Sequence, residues 1–381
     1  MTRNGRVLAL GPRQAMLGEF AGRAQVFEHP GSAILPGLVN CHAHLELTPL
    51  RGQVGSAEGF CGWLAALIEA KAACTLAELR EGVRQGLAEA KAFGCALVAD
   101  VVSPQVVAAG LHQPGWVVAL VEVLGFAAQQ VDNHWRHALA ALEVLRADGV
   151  AAALAPHSPY TVSEALLRRC AGTAGLLSMH LAESAEEAEF LRTGGSPIKD
   201  LLLSRRAWEP SFRPPGLSPV AYADRLGLLR PGTVAVHLVQ ASSEDIALLA
   251  RRGVAACLCP RSNATLGVGA APLREMLRAG LKVCLGSDSL ASNRDLNLFA
   301  EALAALSLGA TPETALRMAT LWGAEALGQN RLGSLAPGRE PRPLVVPAEG
   351  DEPVMSVLEA GAQGKARFLL EGGSRFQEAP L

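Results

Sequence analysis

Two histidines one residue apart end an apolar run near the amino end of the chain. The run is ILPGLVNCHAHLE, residues 34–46, and the histidines are His42 and His44. In an extended strand, residues i and i+2 point to the same side, so both imidazoles face one point. Neutral imidazole is a common ligand of zinc, but two ligands are too few for a zinc site. Taken alone, the pair fits a metal site and a pair of structural histidines equally well.

Further polar residues of the right type stand at or near the ends of other apolar runs: His157, His180, His237 and Asp288. The carboxyl ends of the strands in a parallel barrel meet on one face, so these side chains would become neighbours. Such clustering favours a metal site over a random scatter of histidines. The remaining histidines fall in loops or on helices, where we expect them at the surface: His29, His112, His134 and His137.

The elements that would position these side chains are eight strand-like runs that alternate with helical patterns. The runs are continuously apolar, which is typical of strands buried on both faces, and each is followed by helical sequence. Eight such units predict a (β/α)8 barrel of the TIM type, which belongs to the α/β class. Residues 193–217 interrupt the alternation of strand-like and helical segments with glycine, proline and charged residues, which indicates a long insertion.

Short strand-like pieces flank the barrel pattern at both ends of the chain. GRVLAL and RAQVFEH, residues 5–10 and 23–29, precede it, and LVVP and KARFLLEGG follow it. Each piece is too short to fold alone. We therefore expect the two ends of the chain to pair in a small sheet.

Composition argues against several classes of partner. The 34 basic and 36 acidic residues are spread along the chain and leave a formal net charge of −2. Such a balance offers no surface for nucleic acid or for an anionic membrane. The amino terminus lacks the pattern of a signal peptide, and no apolar run reaches the roughly 18 residues needed to span a bilayer. We expect a cytoplasmic protein with a small-molecule substrate, and the sequence leaves a homo-oligomer open.

The eight cysteines show no CxxC pair and no disulfide-like spacing. This pattern predicts buried free thiols in a reducing cytosol. Cys257 and Cys259 could be a metal-binding pair, but two small apolar residues in a strand are the favoured interpretation.

Six motifs occur in order between residues 36 and 338: PGLVNCHAHLEL with LRG after it, APHSPYT, HLAES, AVHLVQ, LGSDSLASN and GSLAPG. In these motifs the chain resembles the amidohydrolase superfamily. The resemblance implies a metal-dependent hydrolase with a (β/α)8 barrel at residues 36–330. It also implies a small β-sandwich formed from both termini, residues 1–35 and 331–381. Two departures concern this sandwich: the amino terminus starts late, and REPRPLVV replaces the usual acidic segment after LAPG.

The resemblance implies the ligands of one divalent ion, for which zinc is expected: His42, His44, His180 and Asp288. A water or hydroxide would complete the coordination shell, and zinc lowers the pKa of such a water to about 7. Metal-bound hydroxide would then be available at neutral pH to attack the substrate. Asp288 could also accept a proton from that water, which would give it a catalytic role.

By the same resemblance, Glu183 matches the proton shuttle of an H-x-x-E motif. His237 matches the residue that orients the water and polarises the bond under attack. A carboxylate so placed can carry a proton from the water to a ring nitrogen. The alternative for Glu183 is an acidic charge at a helix start, which remains the better interpretation of Glu186 and Glu187.

The absence of a lysine from the end of the fourth strand narrows the class of metal site. Two-metal members of the superfamily use a carboxylated lysine at the end of the fourth strand. No lysine lies between Lys91 and Lys199, and His157 occupies that strand end. We therefore expect a single metal, as in the deaminase-like branch, where the histidine of the HSPYT-like motif contacts the substrate.

Within that branch, HAHLEL with LRG, the segment around Trp63 and SLASN look most like the aminodeoxyfutalosine deaminases. Methylthioadenosine and S-adenosylhomocysteine deaminases are close relatives. The implied reaction is hydrolytic deamination of an adenine-type nucleoside, with aminodeoxyfutalosine of the menaquinone pathway as the first candidate. The rivals on the same metal site are guanine-type deaminases and triazine or other ring chlorohydrolases. A non-catalytic metal-binding relative is disfavoured, because a binding module has no need of a proton shuttle.

Four more residues are candidates for the substrate pocket: Glu46, Phe60, Trp63 and Glu122. The acids could accept hydrogen bonds from hydroxyl groups, and the aromatic rings could stack on a base. Glu46 could equally support a metal-binding histidine, and the two aromatic side chains could be plain core under a loop.

Overall fold

Eight parallel strands form the centre of the computed structural model, which describes residues 1–20, 22–55 and 59–369. The strands pair in the order in which they occur along the chain. We number them β1 to β8: Leu38–Ala43, Cys95–Val102, Val117–Val123, Ala151–Pro156, Leu177–Leu181, Thr233–His237, Ala255–Leu258 and Lys282–Leu285. The sheet closes where β1 meets the segment after β8, through a parallel bridge between Ala43 and Asp288. The predicted (β/α)8 barrel is confirmed.

Small and branched side chains fill the inside of the barrel. Val39, Leu97 and Leu120 belong to this inner cluster, because alternate residues of each strand point inward. The outward side chains form a larger core beneath the helices. All eight cysteines are free and seven of them are buried, which confirms the prediction of buried thiols. Cys257 and Cys259 both lie in the inner cluster.

Helices surround the barrel. In chain order they are Arg13–Phe20, Gly59–Ala73, Leu76–Ala92, Val131–Ala147, Glu164–Ala171, Ala185–Thr193, Pro197–Ser204, Pro219–Arg225, Ser243–Arg252, Pro260–Leu266, Leu273–Arg278, Leu298–Ser307, Pro312–Met318, Leu321–Ala326 and Pro353–Ala362. Ser163 caps the helix Glu164–Ala171, because its side chain accepts the N–H of Leu166. No single helix in the described part of the chain is long and apolar enough to cross a membrane. Only the pair Gly59–Ala73 and Leu76–Ala92, bent by 110°, meets that test when taken together.

The connection from β2 to β3 differs from the predicted pattern. Residues 103–116 contain no helix, so the prediction of helical sequence after every strand is wrong here. Gly110 and Gly115 adopt the left-handed conformation, with φ of 71° and 77°, which interrupts a helix. The outer layer of helices therefore has a gap beside the ends of β2 and β3.

Three short antiparallel strands from the two ends of the chain form a second sheet. Ser32–Leu35 and Arg367–Phe368 flank Leu344–Pro347, and Leu344 lies opposite Leu35. The two ends of the chain thus pair, as expected, but the amino-terminal partner is Ser32–Leu35 and not the predicted pieces at residues 5–10 and 23–29. The limits of the predicted domains, at residues 35 and 331, stay a prediction.

The predicted strand at residues 23–29 is wrong. These residues form no strand, and Val26 and Phe27 are 54% and 46% exposed. A short strand needs a neighbour and a face to bury, and this segment has neither. The strands that precede it form a separate hairpin, in which Thr2–Arg3 pairs with Arg6–Val7.

Arg342 joins the small sheet to the barrel. It lies in the REPRPLVV segment, and its Nη1 donates to the carbonyl oxygens of Ala96 and Gly115, both at 2.7 Å. Its guanidinium lies 3.9 Å from the centre of the Trp116 ring. A cation over an aromatic face contributes about 0.5–2 kcal/mol. The departure from the family pattern therefore supplies an attachment point for the barrel.

The chain directly after β8 approaches β1 very closely at Gly286. We expect position 286 to tolerate no residue larger than glycine. A Cβ atom there would lie 2.7 Å from His42 Cβ, 2.8 Å from His42 O and 3.0 Å from Cys257 Sγ. Because a backbone oxygen cannot yield as a flexible side chain can, Gly286→Ala should destabilise the fold by about 1–3 kcal/mol. The midpoint of urea unfolding measures the change.

The matched control is Gly18→Ala, because a Cβ atom at position 18 meets nothing within 4 Å. This variant should unfold at the wild-type urea concentration or slightly above it, since alanine favours a helix over glycine. Equal midpoints for the two variants would show that the barrel accepts a methyl group at its closure.

Candidate metal centre and active site

Three histidine rings meet at the carboxyl ends of β1 and β5. The ligand nitrogens of His42, His44 and His180 all lie within 4.8 Å of one another. The two Nε2 atoms of His44 and His180 are 3.3 Å apart. Asp288, just past β8, places Oδ1 3.6 Å from His42 Nε2 and 3.8 Å from His44 Nε2. Three imidazoles and one carboxylate therefore converge on one point.

Asn40 holds β1 against the end of β8 and so brings these groups together. Its Oδ1 accepts the N–H groups of His42 at 3.3 Å and of Ser287 at 3.1 Å. Its Nδ2 donates to Ser287 Oγ at 2.7 Å. Beside it, the N–H of Asp288 donates to His42 O at 3.0 Å. Sequence reasoning missed Asn40, although a buried amide two residues before a ligand was a usable signal.

His180 and Asp288 each use one polar atom, Nδ1 and Oδ2, for hydrogen bonds to other parts of the protein. These bonds orient the second polar atom of each side chain toward the cluster. His180 Nδ1–H donates to the carbonyl oxygen of His157 at 2.8 Å, which leaves Nε2 free to bind a metal. Asp288 Oδ2 accepts hydrogen bonds from Ser292, at 3.1 Å, and from Ser262. Oδ1 then remains directed at the histidines. The two serines were also missed, because only the fold brings Ser262, in the helix Pro260–Leu266, next to Ser292, in a turn after β8.

The protonation states suit metal binding. Burial, with the charges of neighbouring histidines, holds the pKa values of His44 and His180 well below the usual range, so both rings are neutral. Burial alone would raise the pKa of Asp288, but contact with His42 and the charges of His237 and His42 hold it well below its usual value. The cluster thus offers neutral nitrogens and an ionised oxygen.

His42 provides a direct test of whether a metal ion fits. Neither of its ring nitrogens has a hydrogen-bond partner within the described residues, although the side chain is fully buried. Leaving such a group unpaired costs about 1–3 kcal/mol. The ligand atoms of a tetrahedral zinc site lie about 3.4 Å apart, and the separations measured around Asp288 and His44 are 3.3, 3.6 and 3.8 Å. These residues therefore fit a divalent ion.

Glu183 and His237 form a second pair beside the cluster. Glu183 Oε1 lies 3.6 Å from His237 Nε2. Burial and the nearby charge of Asp288 raise the pKa of Glu183 well above its usual value. His237 Nδ1–H donates to Asn263 Oδ1 at 2.9 Å, and burial lowers the pKa of the ring to about 4. A carboxyl that favours its protonated form thus faces a neutral imidazole whose Nε2 can accept a hydrogen bond.

Strained backbone marks the strand ends that carry these groups. The φ angles of Ala182, His237, Leu238 and Asp288 are 51°, 72°, 53° and 58°. This left-handed conformation costs a residue other than glycine about 1–2 kcal/mol. The strain persists because packing at the barrel mouth dictates where these side chains point.

His157 ends β4 and lies over His180, with the ring centres 4.5 Å apart. Its Nδ1 lies 2.9 Å from Thr161 Oγ1 and 3.1 Å from Ser158 Oγ. Burial, with the charge of Lys71, lowers its pKa to about 3, so the ring is neutral. The two hydroxyl groups fix the ring orientation through Nδ1 and leave Nε2 for another partner.

Four polar side chains form what we call the Lys71 cluster: Glu46, Lys71, Ser103 and Glu122. Lys71 Nζ lies 2.5 Å from Glu46 Oε1 and 2.8 Å from Ser103 Oγ. Ser103 Oγ lies 2.7 Å from Glu46 Oε1 and 3.3 Å from Glu122 Oε2. The structure therefore brings the two predicted pocket acids together. Lys71 was missed, because the sequence argument about lysine concerned only the fourth strand.

The two predicted pocket aromatics lie on the same helix as Lys71, Gly59–Ala73, and pack against the core. Phe60 is 4% exposed, and its ring centre lies 6.5 Å from that of Tyr160. Trp63 is half-buried against the same core. Their contact with a substrate stays a prediction.

The prediction that His112 lies at the surface is wrong. It is 2% exposed, and its Nε2 lies 3.0 Å from Asp100 Oδ2. Asp100 Oδ1 in turn accepts the N–H of Leu45, the residue after His44, at 2.9 Å. Asp100 is the one charged residue in the apolar run CALVADVV, and a buried carboxylate needs such a partner. The pair anchors the backbone next to a ligand of the proposed metal.

Comparison with known proteins places this site in a family. The sequence profile described as Amidohydrolase family matches residues 33–363. The 5-methylthioadenosine/S-adenosylhomocysteine deaminase of Teredinibacter turnerae is 33% identical over 357 residues, which cover 88% of this chain and 76% of that protein. The aminodeoxyfutalosine deaminase of Deinococcus radiodurans is 33% identical over 325 residues, which cover 79% of this chain and 75% of that protein.

A solved structure agrees with these sequence relatives. An adenosine deaminase from Xanthomonas campestris with bound zinc superposes with a TM-score of 0.80 at 28% identity, over 96% of this chain and 84% of that one. The predicted class, a hydrolase of this family, is thereby confirmed. The fold, the motifs and the family profile agree, and the chain belongs to the amidohydrolase family.

Proposed function

We propose that the chain removes the amino group from an adenine-type nucleoside by hydrolysis, with one bound zinc ion. The observation that carries the proposal is the placement of Glu183 and His237, 3.6 Å apart, beside the histidine cluster. The ring of His237 lies 5.4 Å from that of His180, so the proton-transfer pair and the ligands share one site. Relatives named as deaminases of such nucleosides, at 33% identity, support the assignment.

We expect the site to hold one metal ion and not two. Within the ranges 1–20, 22–55 and 59–369, only His42, His44 and His180 form a trio of possible ligands whose atoms lie within 4.8 Å of one another. The end of β4 carries His157, where a bridging lysine would be needed for two metals. Zinc is favoured because imidazole nitrogens and a carboxylate oxygen are ligands that it accepts.

The protein's own groups would move the protons. When bound, the ion supplies an acidified water as the nucleophile. Glu183 takes one proton from the attacking water and delivers it to a ring nitrogen, which its raised pKa permits. Asp288 takes the second proton, which leaves with the amino group as ammonia. A carbon–oxygen bond forms at the amino-bearing carbon, and its carbon–nitrogen bond breaks.

His237 and His157 would position the reactants. Because Asn263 holds the Nδ1–H of His237, Nε2 can accept a hydrogen bond from the attacking water and orient it. His157 would contact the substrate through Nε2, since the hydroxyl groups of Ser158 and Thr161 already hold its Nδ1. Both rings are neutral, so neither repels the ion.

The proposal also concerns which nucleoside is the substrate. We favour aminodeoxyfutalosine, on the HAHLEL, LRG and SLASN motifs, ahead of methylthioadenosine or S-adenosylhomocysteine. We expect ammonia release from aminodeoxyfutalosine at the highest kcat/KM of a set that includes the other two nucleosides and adenosine. An enzyme-coupled ammonia assay measures this. Chloride release from a chlorotriazine with no ammonia from any nucleoside would contradict the proposed reaction.

The purified protein should hold about one zinc ion per chain, as measured by elemental analysis. His180→Ala should lose most of this zinc, and added zinc should no longer raise its melting temperature, because a ligand stabilises only a fold that binds it. His29→Ala is the matched control, since His29 is remote from the strand ends, and it should keep both properties. Unchanged zinc content in His180→Ala would rule out this set of ligands.

Glu183→Gln should keep its zinc and its melting temperature but lose turnover. Glutamine has the same shape and cannot carry a proton, so kcat should fall about 10² to 10⁴-fold. Glu189→Gln is the control, because Glu189 is an exposed acid on the helix Ala185–Thr193 that follows Glu183. Full activity of Glu183→Gln would refute its role as the shuttle.

A further inference from the structure

Glu187 is a fully buried acid in the first turn of the helix Ala185–Thr193, which follows the turn that carries Glu183. Its side chain bends back toward the end of β5, and Oε2 accepts the N–H of Glu183 at 2.8 Å. The other oxygen, Oε1, is buried and has no hydrogen-bond partner within the described residues. Sequence reasoning predicted an acidic charge at a helix start and missed this contact with the proposed shuttle.

A helix cap accounts for only part of this arrangement. Ser184 is the capping residue, because its side chain accepts the N–H of Glu187 at 3.2 Å. In the usual reciprocal box, the acid at the third helical position accepts the N–H of the capping residue. The carboxylate of Glu187 reaches past Ser184 to the N–H of Glu183. It therefore holds the residue before the helix as well as the helix itself.

The turn that Glu187 holds is strained and is fixed from its other side by backbone hydrogen bonds. Ala182 has a φ of 51°, a conformation that disfavours residues other than glycine. The N–H of Gln240 donates to Ala182 O at 2.8 Å, and the N–H of Leu238 donates to Leu181 O at 3.1 Å. Glu187 supplies the bond on the side of Glu183. The backbone of the shuttle is thus fixed both before and after the strained residue.

Stability of the helix does not by itself favour a carboxylate at position 187. Burial raises the pKa of Glu187 to about 7, although the N–H groups of Glu183, Ala182 and Ser184 act in the opposite direction. A buried carboxyl with one unpaired oxygen costs free energy that an apolar side chain would not. Its contact with Glu183 explains the residue better than its place in the helix does.

We propose that Glu187 is a positioning residue that fixes Glu183, through the backbone, at the distance from the metal centre that proton transfer requires. The inference rests on the proposed function. Glu183 Oε1 lies 3.6 Å from His237 Nε2, so a small shift of the Glu183 backbone would change the path of the proton. A displacement of about 1 Å in a catalytic group can lower a rate about 10²-fold.

The first test removes the acceptor and then restores it. Glu187→Leu has an apolar side chain that suits a buried position, and its kcat for ammonia release should fall about 10- to 100-fold. Its zinc content and KM should stay close to those of the wild-type protein, because the metal ligands are untouched. Glu187→Gln should recover most of the lost kcat, since its amide oxygen can accept the same N–H. Glu187→Met removes the acceptor with a flexible chain and takes the place of Glu187→Leu if that variant does not fold.

The matched control is Glu186→Leu, which removes an acid from the same turn of the helix. Glu186 is half-buried, and its side chain does not hold the N–H of Glu183. This variant should keep the wild-type kcat. If Glu187 served only the start of the helix, the two leucine variants should differ from wild type in melting temperature and not in kcat.

The second test asks whether Glu187 acts through Glu183. In a Glu183→Gln background, adding Glu187→Leu should lower kcat by less than about twofold, because no shuttle remains to be positioned. An equal loss in both backgrounds, a wild-type kcat in Glu187→Leu, or no recovery in Glu187→Gln would overturn the positioning role and leave the deaminase intact. No ammonia from any nucleoside with wild-type protein would overturn the proposed function, and the positioning role with it.

Discussion

The junction of β1 with the segment after β8 is the contact on which the site depends. Asn40 binds the backbone at Ser287, and the backbone of Asp288 binds that of His42. β1 carries two of the histidines, and the segment after β8 carries the carboxylate. A shift of one residue in this pairing would turn a ligand away from the cluster, because neighbouring residues of a strand face opposite sides. The close approach at Gly286 keeps the two segments in place.

Burial acts on several ionisable groups of the site, yet it does not give them one charge state. It keeps the rings of His44 and His180 neutral, and it raises the pKa of Glu183, which favours the protonated form of that carboxyl. Asp288 is equally buried but ionised, because histidines and serine hydroxyls surround it. Two buried carboxyl groups of one site are thus suited to the different tasks proposed for them, one as a ligand and one as a proton carrier. The groups around each carboxyl determine whether it is ionised or holds a proton.

Much of the fold, and the convergence of side chains at the barrel mouth, could be predicted, because apolar runs and strand-end residues are local features of sequence. His180 and Asp288 were expected near His42 in this way, since a barrel gathers all strand ends on one face. Asn40 and Lys71 were not found, because a hydrogen bond between distant segments leaves no spacing to recognise. The missing helix after β2 was not predicted, because Ser103 with Pro104 has the same form as the Ser-Pro pairs at which the helices Pro197–Ser204 and Pro219–Arg225 begin.

The closure of the barrel also has a consequence for folding. Asn40 and Ser287, which bind each other across it, are 247 positions apart in the chain. Contacts between such distant residues carry a large loop-closure entropy and tend to form late. β8 can reach β1 only when the six strands between them are aligned. A chain that binds the metal tightly would therefore have completed the final step of folding. In a chain that stops before this step, the histidines would still lie apart.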